Sequence, residues 1–332
     1  MNKLNLPLVN VHTHSAMVAF RWLAEDLALE KWLQDYIWPM EAKLVNYDFV
    51  YENTKKAISE MKSNWIRLAN DTYFHPDAWA RAAEELQFNY FIGNPIINFP
   101  VSWTANWLEW LGKTEDLLIK YRDSEFIRVS VTPHSIYATS EELLIQSKEL
   151  SNKYWAIFHT HLSESQTEFD DCVKLHWCSP VKYLYNLWIL NERCVLAHCV
   201  WLTNEDIEIL AETRSNVVHC PLSNLKLWSW IAPIAKLLDY WVNVCLGTDW
   251  AASSNRLDIW EAGKFAWLLQ KWITNNPEVL PAREVIKMMT INWMKALWIN
   301  NLDWKSIVEI EKIINETDNF NYIYELNAEQ VF

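Results

Sequence analysis

The stretch RCVLAHCVWLTNEDIEILAETRSNVVHCP, residues 193–221, decides the fold. Residues 193–200 form a short apolar run of the kind that reads as a buried strand. Thr203-Asn204-Glu205-Asp206 then supplies a cap-like start with early acidic side chains, and Asn204–Thr213 repeats apolar residues at helical spacing. Residues 215–221 return to a strand-like run. Strand, helix, strand in this order predicts two parallel neighbours joined by a crossover helix.

The same pattern extends along the chain in both directions. Strand-like runs fall at 6–12, 65–73, 89–97, 126–134, 156–164, 193–200, 215–221 and 241–249. Amphipathic helical patterns such as Ala78–Leu86 and Ser140–Tyr154 separate them, the latter opening on the cap-like Ser140-Glu141-Glu142. Eight alternations predict an α/β fold closed as a (β/α)₈ TIM barrel. A doubly wound open sheet is the competitor, but no G-x-G-x-x-G follows any of these runs.

Composition narrows the function. The chain has 332 residues, 51% hydrophobic and 21% charged, enough for one large core and unlike a disordered chain. A net charge of −13 argues against a nucleic-acid or anionic-membrane partner and favours a small-molecule substrate. No apolar run approaches the roughly 18 residues of a membrane span. Met1-Asn2-Lys3-Leu4-Asn5-Leu6-Pro7 lacks a signal-peptide core. Six cysteines without a C-x-x-C pair read as reduced, buried thiols of a cytoplasmic protein.

Barrel chemistry sits at the carboxyl ends of the strands. Those ends carry His12, His14, Asp71, Asn94, His134, His161, Glu164, His198, His219 and Asp249. In His12-Thr13-His14 the i and i+2 side chains of an extended segment point the same way, so both imidazoles reach one ion. With His161 from the fifth run and Asp249 from the eighth, three imidazoles and a carboxylate suit one divalent metal. Zn²⁺ is favoured, Fe²⁺ is the alternative, and one coordination position stays open for water. His159 and His219 read as packing residues.

One count is abnormal. The chain has 4 glycines and 22 tryptophans, where average usage gives roughly 23 glycines. Trp155, Trp188, Trp241 and Trp298 stand at helix-to-strand junctions where a left-handed glycine is usual, and Trp230 and Trp250 stand at loop positions of the same kind. The expectation is that most of these tryptophans are glycine in the living protein, as follows if UGA codons decoded as glycine are transcribed on paper as tryptophan. Trp32 and Trp38 lie in helical settings and read as authentic.

The segments Val11-His12-Thr13-His14-Ser15-Ala16-Met17, His161-Leu162-Ser163-Glu164, Ala197-His198-Cys199-Val200, Ser223-Asn224-Leu225-Lys226-Leu227 and Leu246-Gly247-Thr248-Asp249 resemble the amidohydrolase superfamily. Within it they are most similar to the 5′-methylthioadenosine/S-adenosylhomocysteine deaminase group, near the triazine chlorohydrolases. The resemblance runs from about residue 7 to about 308. It implies a hydrolytic deaminase of an adenosine-type nucleoside, with metal-activated hydroxide attacking C6 and ammonia leaving. A related hydrolase of another C–N or C–Cl bond (guanine, a triazine) is the alternative, and an inactive truncated barrel the other.

On this resemblance His12, His14, His161 and Asp249 hold the metal, and Asp249 also accepts the water's proton. His198 orients the water, and Glu164 protonates the ring nitrogen. Trp32 forms an aromatic wall, Glu41 binds the ribose hydroxyls, His134 reaches the ribose or the 5′ tail, and Ser253 touches the base. Position 94 is Asn where some relatives carry Arg, so no cation there awaits a homocysteine carboxylate. The family also shows Gly at positions 22, 155, 188, 230, 241, 250, 293 and 298. The barrel is expected over 1–306, with an atypical short tail at 307–332 and the accessory β-sandwich missing or vestigial. An indole at Trp250 is expected to crowd the metal pocket. Self-association as a homo-oligomer is left open.

Overall fold

The computed structural model describes residues 6–99, 108–302 and 305–317. Eight parallel strands form the core: β1 (Leu8–His14), β2 (Ile66–Thr72), β3 (Asn89–Gly93), β4 (Ile127–Val129), β5 (Phe158–Leu162), β6 (Cys194–His198), β7 (Asn216–His219) and β8 (Asn243–Leu246). Nearly all of their residues are buried, which is why these runs are apolar without alternation.

The strands lie in two arcs, β1-β2-β3-β4 and β5-β6-β7-β8, each in sequence order. Two seams close the ring. Val131 bridges in parallel to Phe158, with Val131 N–H donating to Ile157 O at 2.8 Å and His159 N–H to Val131 O at 2.9 Å. On the other side Thr13 and His14 of β1 pair with Asp249 and Trp250, just beyond β8. The Asn10 amide fastens that seam from both ends, donating to Thr248 Oγ1 at 2.7 Å and accepting from Thr248 N–H at 2.9 Å. Gly247 permits the approach, because a Cβ there would lie 2.8 Å from the His12 carbonyl oxygen. The closed barrel is therefore observed.

Helices connect the strands and begin where capping predicts. Thr203 and Asp206 form a reciprocal capping box on Asn204–Thr213, and Ser140 Oγ accepts from Leu143 N–H ahead of Glu141–Tyr154. The third helical pattern starts earlier than its apolar spacing implies, at Pro76, a residue preorganised for a first helical turn. The strand-like run 126–134 divides into β4 and a two-residue strand, Thr132–Pro133, which pairs with Pro95–Ile96.

Outside the barrel, among the described residues, Asn301–Leu302 pairs antiparallel with Lys305–Ser306, and a helix follows at Ile307–Glu316 with Ile310 and Ile314 buried. The end of the expected tail, 318–332, lies outside the described residues. Among the described residues no helix is long and apolar enough to cross a membrane. All six cysteines are free, and five are buried.

Candidate active site

Residues 12, 14, 161, 198 and 249 converge at the carboxyl end of the barrel. His12 and His14 leave β1 on one side, as the two-residue strand period requires. His161 comes from β5, His198 closes β6, and Asp249 follows β8. One ligand atom each from His12, His14, His161 and Asp249 lies within 4.8 Å of the other three. His12 Nε2 and His14 Nε2 stand 3.1 and 3.3 Å from Asp249 Oδ1, and His14 Nε2 stands 3.2 Å from His161 Nε2.

These residues fit a metal ion on their own evidence. His12 Nε2 and Asp249 Oδ1 are buried with no hydrogen-bond partner among the described residues, despite their mutual approach. Each ligand imidazole is anchored through its other nitrogen. His14 Nδ1 meets Thr72 O at 2.5 Å, His161 Nδ1 meets His134 O at 2.7 Å, and His12 Nδ1 meets His159 Nε2 at 2.9 Å. Such anchoring fixes ring orientation and presents Nε2 to a cation. Burial pushes His12 down to about 4 and His161 well below its ordinary value, so both are neutral, as ligands need to be. Burial would raise Asp249, but the imidazoles of His12, His14 and His198 outweigh it and hold the carboxyl well below the usual range.

Beside this centre, Glu164, His198 and Asp249 form a second close group. His198 Nε2 lies 3.7 Å from Glu164 Oε2, and His198 Nδ1 meets Asn224 Oδ1 at 2.8 Å. Asn224 thereby fixes the ring so that Nε2, which has no hydrogen-bond partner among the described residues, faces the site. Burial lowers His198, but the carboxylates of Glu164 and Asp249 more than compensate, and its net shift is upward. Burial raises Glu164 to about 7, opposed by His198 and reinforced by Asp249, so Glu164 exchanges a proton near neutrality.

A cavity of 430 Å³ opens beside His14, within the range of roughly 300–1,000 Å³ common for small-molecule sites. Glu41 and His134 line it, with Phe74, Ile97 and Phe99 as apolar wall. Glu41 is buried, accepts from Tyr73 O–H at 2.7 Å, and is raised by burial to about 7. His134 stacks on His161 with ring centroids 4.6 Å apart. Trp250 forms part of the wall and packs on His14 and Trp32 at centroid distances of 4.8 and 5.0 Å. A larger open depression of 1,100 Å³ lies by Asn216 and Asn243, at the opposite strand ends, and holds none of these residues.

Four placements differ from the sequence reading. Trp32 is buried behind Trp250 and does not line the cavity, whereas Trp38 does. Ser253 does not line the cavity. Its hydroxyl lies 2.7 Å from Ser223 Oγ, which in turn donates to Asp249 Oδ2 at 2.5 Å, so both serines brace the carboxylate. His159, read as packing, bridges His12 to Asn70. At 249–250 the left-handed residue is Asp249, φ 60°, whereas Trp250 has φ −70°, and Trp293 lies inside helix Asn292–Ala296. Ser223 and Asn224 belong to a segment that carries the resemblance, but only the fold shows which side chains they hold. Tyr73 gave no signal in the sequence, because its partner lies 32 residues away.

Fold and site together define a class: an eight-stranded barrel around a cluster of three histidines and one aspartate that could hold a metal ion. The profile of the amidohydrolase family matches residues 7–302, and the chain belongs to that family. It is 43% identical over 283 residues to a 5-methylthioadenosine/S-adenosylhomocysteine deaminase of Thermodesulfovibrio yellowstonii, covering 85% of this chain and 64% of that protein. It is 43% identical over 296 residues to a 5′-deoxyadenosine deaminase of Methanothrix thermoacetophila, covering 89% of this chain and 70% of that one. Among solved structures it resembles an adenosine deaminase from Xanthomonas campestris with bound zinc, at TM-score 0.88 and 33% identity over 91% of this chain and 69% of that one. The chain thus spans about two thirds of the length of these relatives.

Proposed function

We propose that the barrel, residues 1–306, is a hydrolytic deaminase of adenosine-type nucleosides that holds a single divalent ion, Zn²⁺ before Fe²⁺. The observation that carries this is the adjacency of the four-ligand cluster to a buried carboxyl, Glu164, poised near neutrality. His12, His14, His161 and Asp249 would hold the ion. When bound, such an ion lowers the pKa of a coordinated water towards about 7 and polarises the reacting centre.

The chain's own residues do the rest. Asp249 accepts the proton of the attacking water. Glu164, protonated by virtue of its burial, donates to the purine ring nitrogen next to C6, which makes that carbon electrophilic; the proton taken by Asp249 then passes to the departing amino group, and as ammonia leaves the C6 hydroxyl returns a proton to Glu164. His198, its Nδ1–H committed to Asn224, presents Nε2 to the water and the developing oxygen charge. Glu41, steadied by Tyr73, accepts from the ribose hydroxyls, and His134 lines the path of the 5′ substituent.

Neither Lys nor Arg lines the cavity among the described residues, and residues 100–107 contain none. Apart from a few polar groups, Glu41 and His134 among them, its walls are mostly apolar. An uncharged 5′ tail, as in 5′-deoxyadenosine or 5′-methylthioadenosine, fits better than a homocysteine carboxylate. Ammonia release from 5′-deoxyadenosine, 5′-methylthioadenosine, adenosine, S-adenosylhomocysteine and guanine tests the assignment. Turnover of the first three ahead of the last two supports it, and turnover of guanine alone overturns it.

A further inference from the structure

We propose that Glu168 is a positioning residue that aims Glu164. Ser163 has a left-handed backbone, φ 52°, which tightens the turn out of β5. Both oxygens of Glu168 close on that turn: Oε1 accepts from Ser163 N–H at 3.1 Å and Oε2 from Glu164 N–H at 2.8 Å. In an ordinary capping box the third helical residue returns one bond to the N-cap amide. Here Ser165 is the N-cap, accepting from Glu168 N–H at 3.1 Å, while the Glu168 carboxylate reaches past it to the two preceding amides.

The other side of the turn is fixed as well. Ser163 O accepts from Val200 N–H at 2.9 Å and Trp201 N–H at 3.0 Å, and Leu162 O accepts from Cys199 N–H at 3.0 Å. The loop bearing Glu164 is thereby laced to the loop that follows His198, and the two side chains meet at 3.7 Å. A buried carboxylate holding two backbone N–H groups gives the turn one geometry rather than several, and proton transfer depends on geometry first.

The inference rests on the deaminase reading, and its test separates the two. In Glu168→Gln, one acceptor oxygen becomes a donor that opposes an N–H. Hydrogen exchange at the Ser163 and Glu164 amides should then quicken on the order of tenfold or more, at unchanged metal content. kcat should fall about 10- to 100-fold with KM within about threefold. Unchanged exchange, or unchanged kcat in an active wild type, overturns the clamp. A wild type that deaminates nothing overturns the deaminase reading, and the exchange measurement still decides the clamp. Glu168→Asp, which retains both oxygens, should recover more of kcat than Glu168→Ala.

A second inference stands on backbone geometry alone. Nine tryptophans, at 22, 65, 155, 177, 188, 228, 230, 241 and 298, have φ between 56° and 91°, and no glycine has positive φ. Eight of the nine are at least half exposed, with Trp241 at 93%. At 155, 188, 228, 241 and 298 the following N–H reaches the carbonyl five residues back, the hydrogen bond of a Schellman ending, whose left-handed position is usually glycine. Trp79 and Trp201, outside the left-handed set, donate their indole N–H to a carbonyl at 2.9 Å; of the nine, Trp298 does so as well, to Glu192 O at 3.2 Å.

Nine left-handed indoles at about 1 kcal/mol or more each would use most of a typical stability of about 5–15 kcal/mol. We infer that these nine positions are glycine in the functional protein. Peptide mass spectrometry of the protein purified from its source decides it: peptides over these sites should be lighter by about 129 Da per site, the difference between the two residues' formulae. Tryptophan-containing peptides at these sites would overturn the inference.

Discussion

Both ends of the barrel contain left-handed backbone, and they put different residues in it. At the carboxyl end, the positive φ values around the candidate site fall on Ser163, His198, Cys199 and Asp249, residues of that site or beside it, and Trp228 and Trp230 share the conformation farther along the segment after β7. At the opposite end it falls on Trp65, Trp155, Trp188 and Trp241, in the turns that lead into β2, β5, β6 and β8, and on Gln87 and Arg214 before β3 and β7; of these tryptophans all but Trp65 are exposed. Strain at the first end is overdetermined by neighbours: His198 by Asn224, Asp249 by Ser223, and Ser163 by Glu168. At the second end only the main chain makes the turn. One end uses a strained conformation to aim a side chain, and the other needs the conformation and has no use for a side chain.

The largest expected effects lie at the carboxyl end. His161→Ala should lose the metal, read by elemental analysis, and activity on the order of 10⁴-fold or more, equivalent to several kcal/mol of transition-state stabilisation. Full activity in a metal-free preparation would break the reading of that end. Glu164→Gln should keep its metal and lose roughly 10²–10⁴-fold in kcat, because an amide donates no proton. In the wild type, the rate should fall as pH rises through about 7, where the buried Glu164 loses its proton. A loss below about threefold in kcat would make Glu164 a bystander.

Glu41 sharpens the comparison, since it is buried near the site but does not touch the metal ligands' hydrogen bonds. Glu41→Gln should raise KM for the nucleoside about tenfold and leave metal content unchanged. Its titration should also appear in stability. Burial raises its pKa from 4.5 to about 7, so the folded state binds this proton more tightly than the unfolded chain does. That contribution is fully present below the unfolded value and is lost as pH rises through about 7. Urea midpoints of Glu41→Gln should therefore depend less on pH than those of the wild type between about pH 5 and 8. Identical pH dependence would show that Glu41 is not the group titrating.

The smallest effect belongs to the other end. In the all-tryptophan protein, Trp241→Gly should raise stability by about 1 kcal/mol through relief of the left-handed strain, with kcat unchanged. Trp241→Ala should gain less, because alanine retains a Cβ. Equal midpoints for tryptophan and glycine at 241 would remove the distinction between the two ends.

The eight strands, their order and the convergence of His12, His14, His161 and Asp249 were legible in the sequence. Buried parallel strands are uninterrupted apolar runs, and an i, i+2 histidine pair on one of them has a single geometric meaning. The abnormal ratio of tryptophan to glycine was legible for a similar reason, because helix-to-strand junctions repeat a local pattern. Local signals are short, and a chain read in order preserves them. The boundaries were less so: the run 126–134 reads as one strand but divides in two, and its separate pairings, Ile127–Val129 with β3, Val131 with Phe158 and Thr132–Pro133 with Pro95–Ile96, fix where.

Tertiary structure alone decided which polar residues serve which others. The pairs Ser223–Asp249, Asn224–His198, His159–His12 and Tyr73–Glu41 are separated by 26, 26, 147 and 32 residues, and no periodicity joins them. It also decided that Ser253 braces Asp249 instead of facing the cavity, and that strain falls on Asp249 rather than on Trp250. A hydrogen bond is set by a few tenths of an ångström and by direction, and those are fixed only when the barrel closes. Sequence specifies the candidate ligands because their chemistry is carried by residue type; their aim depends on the neighbours that closure brings beside them.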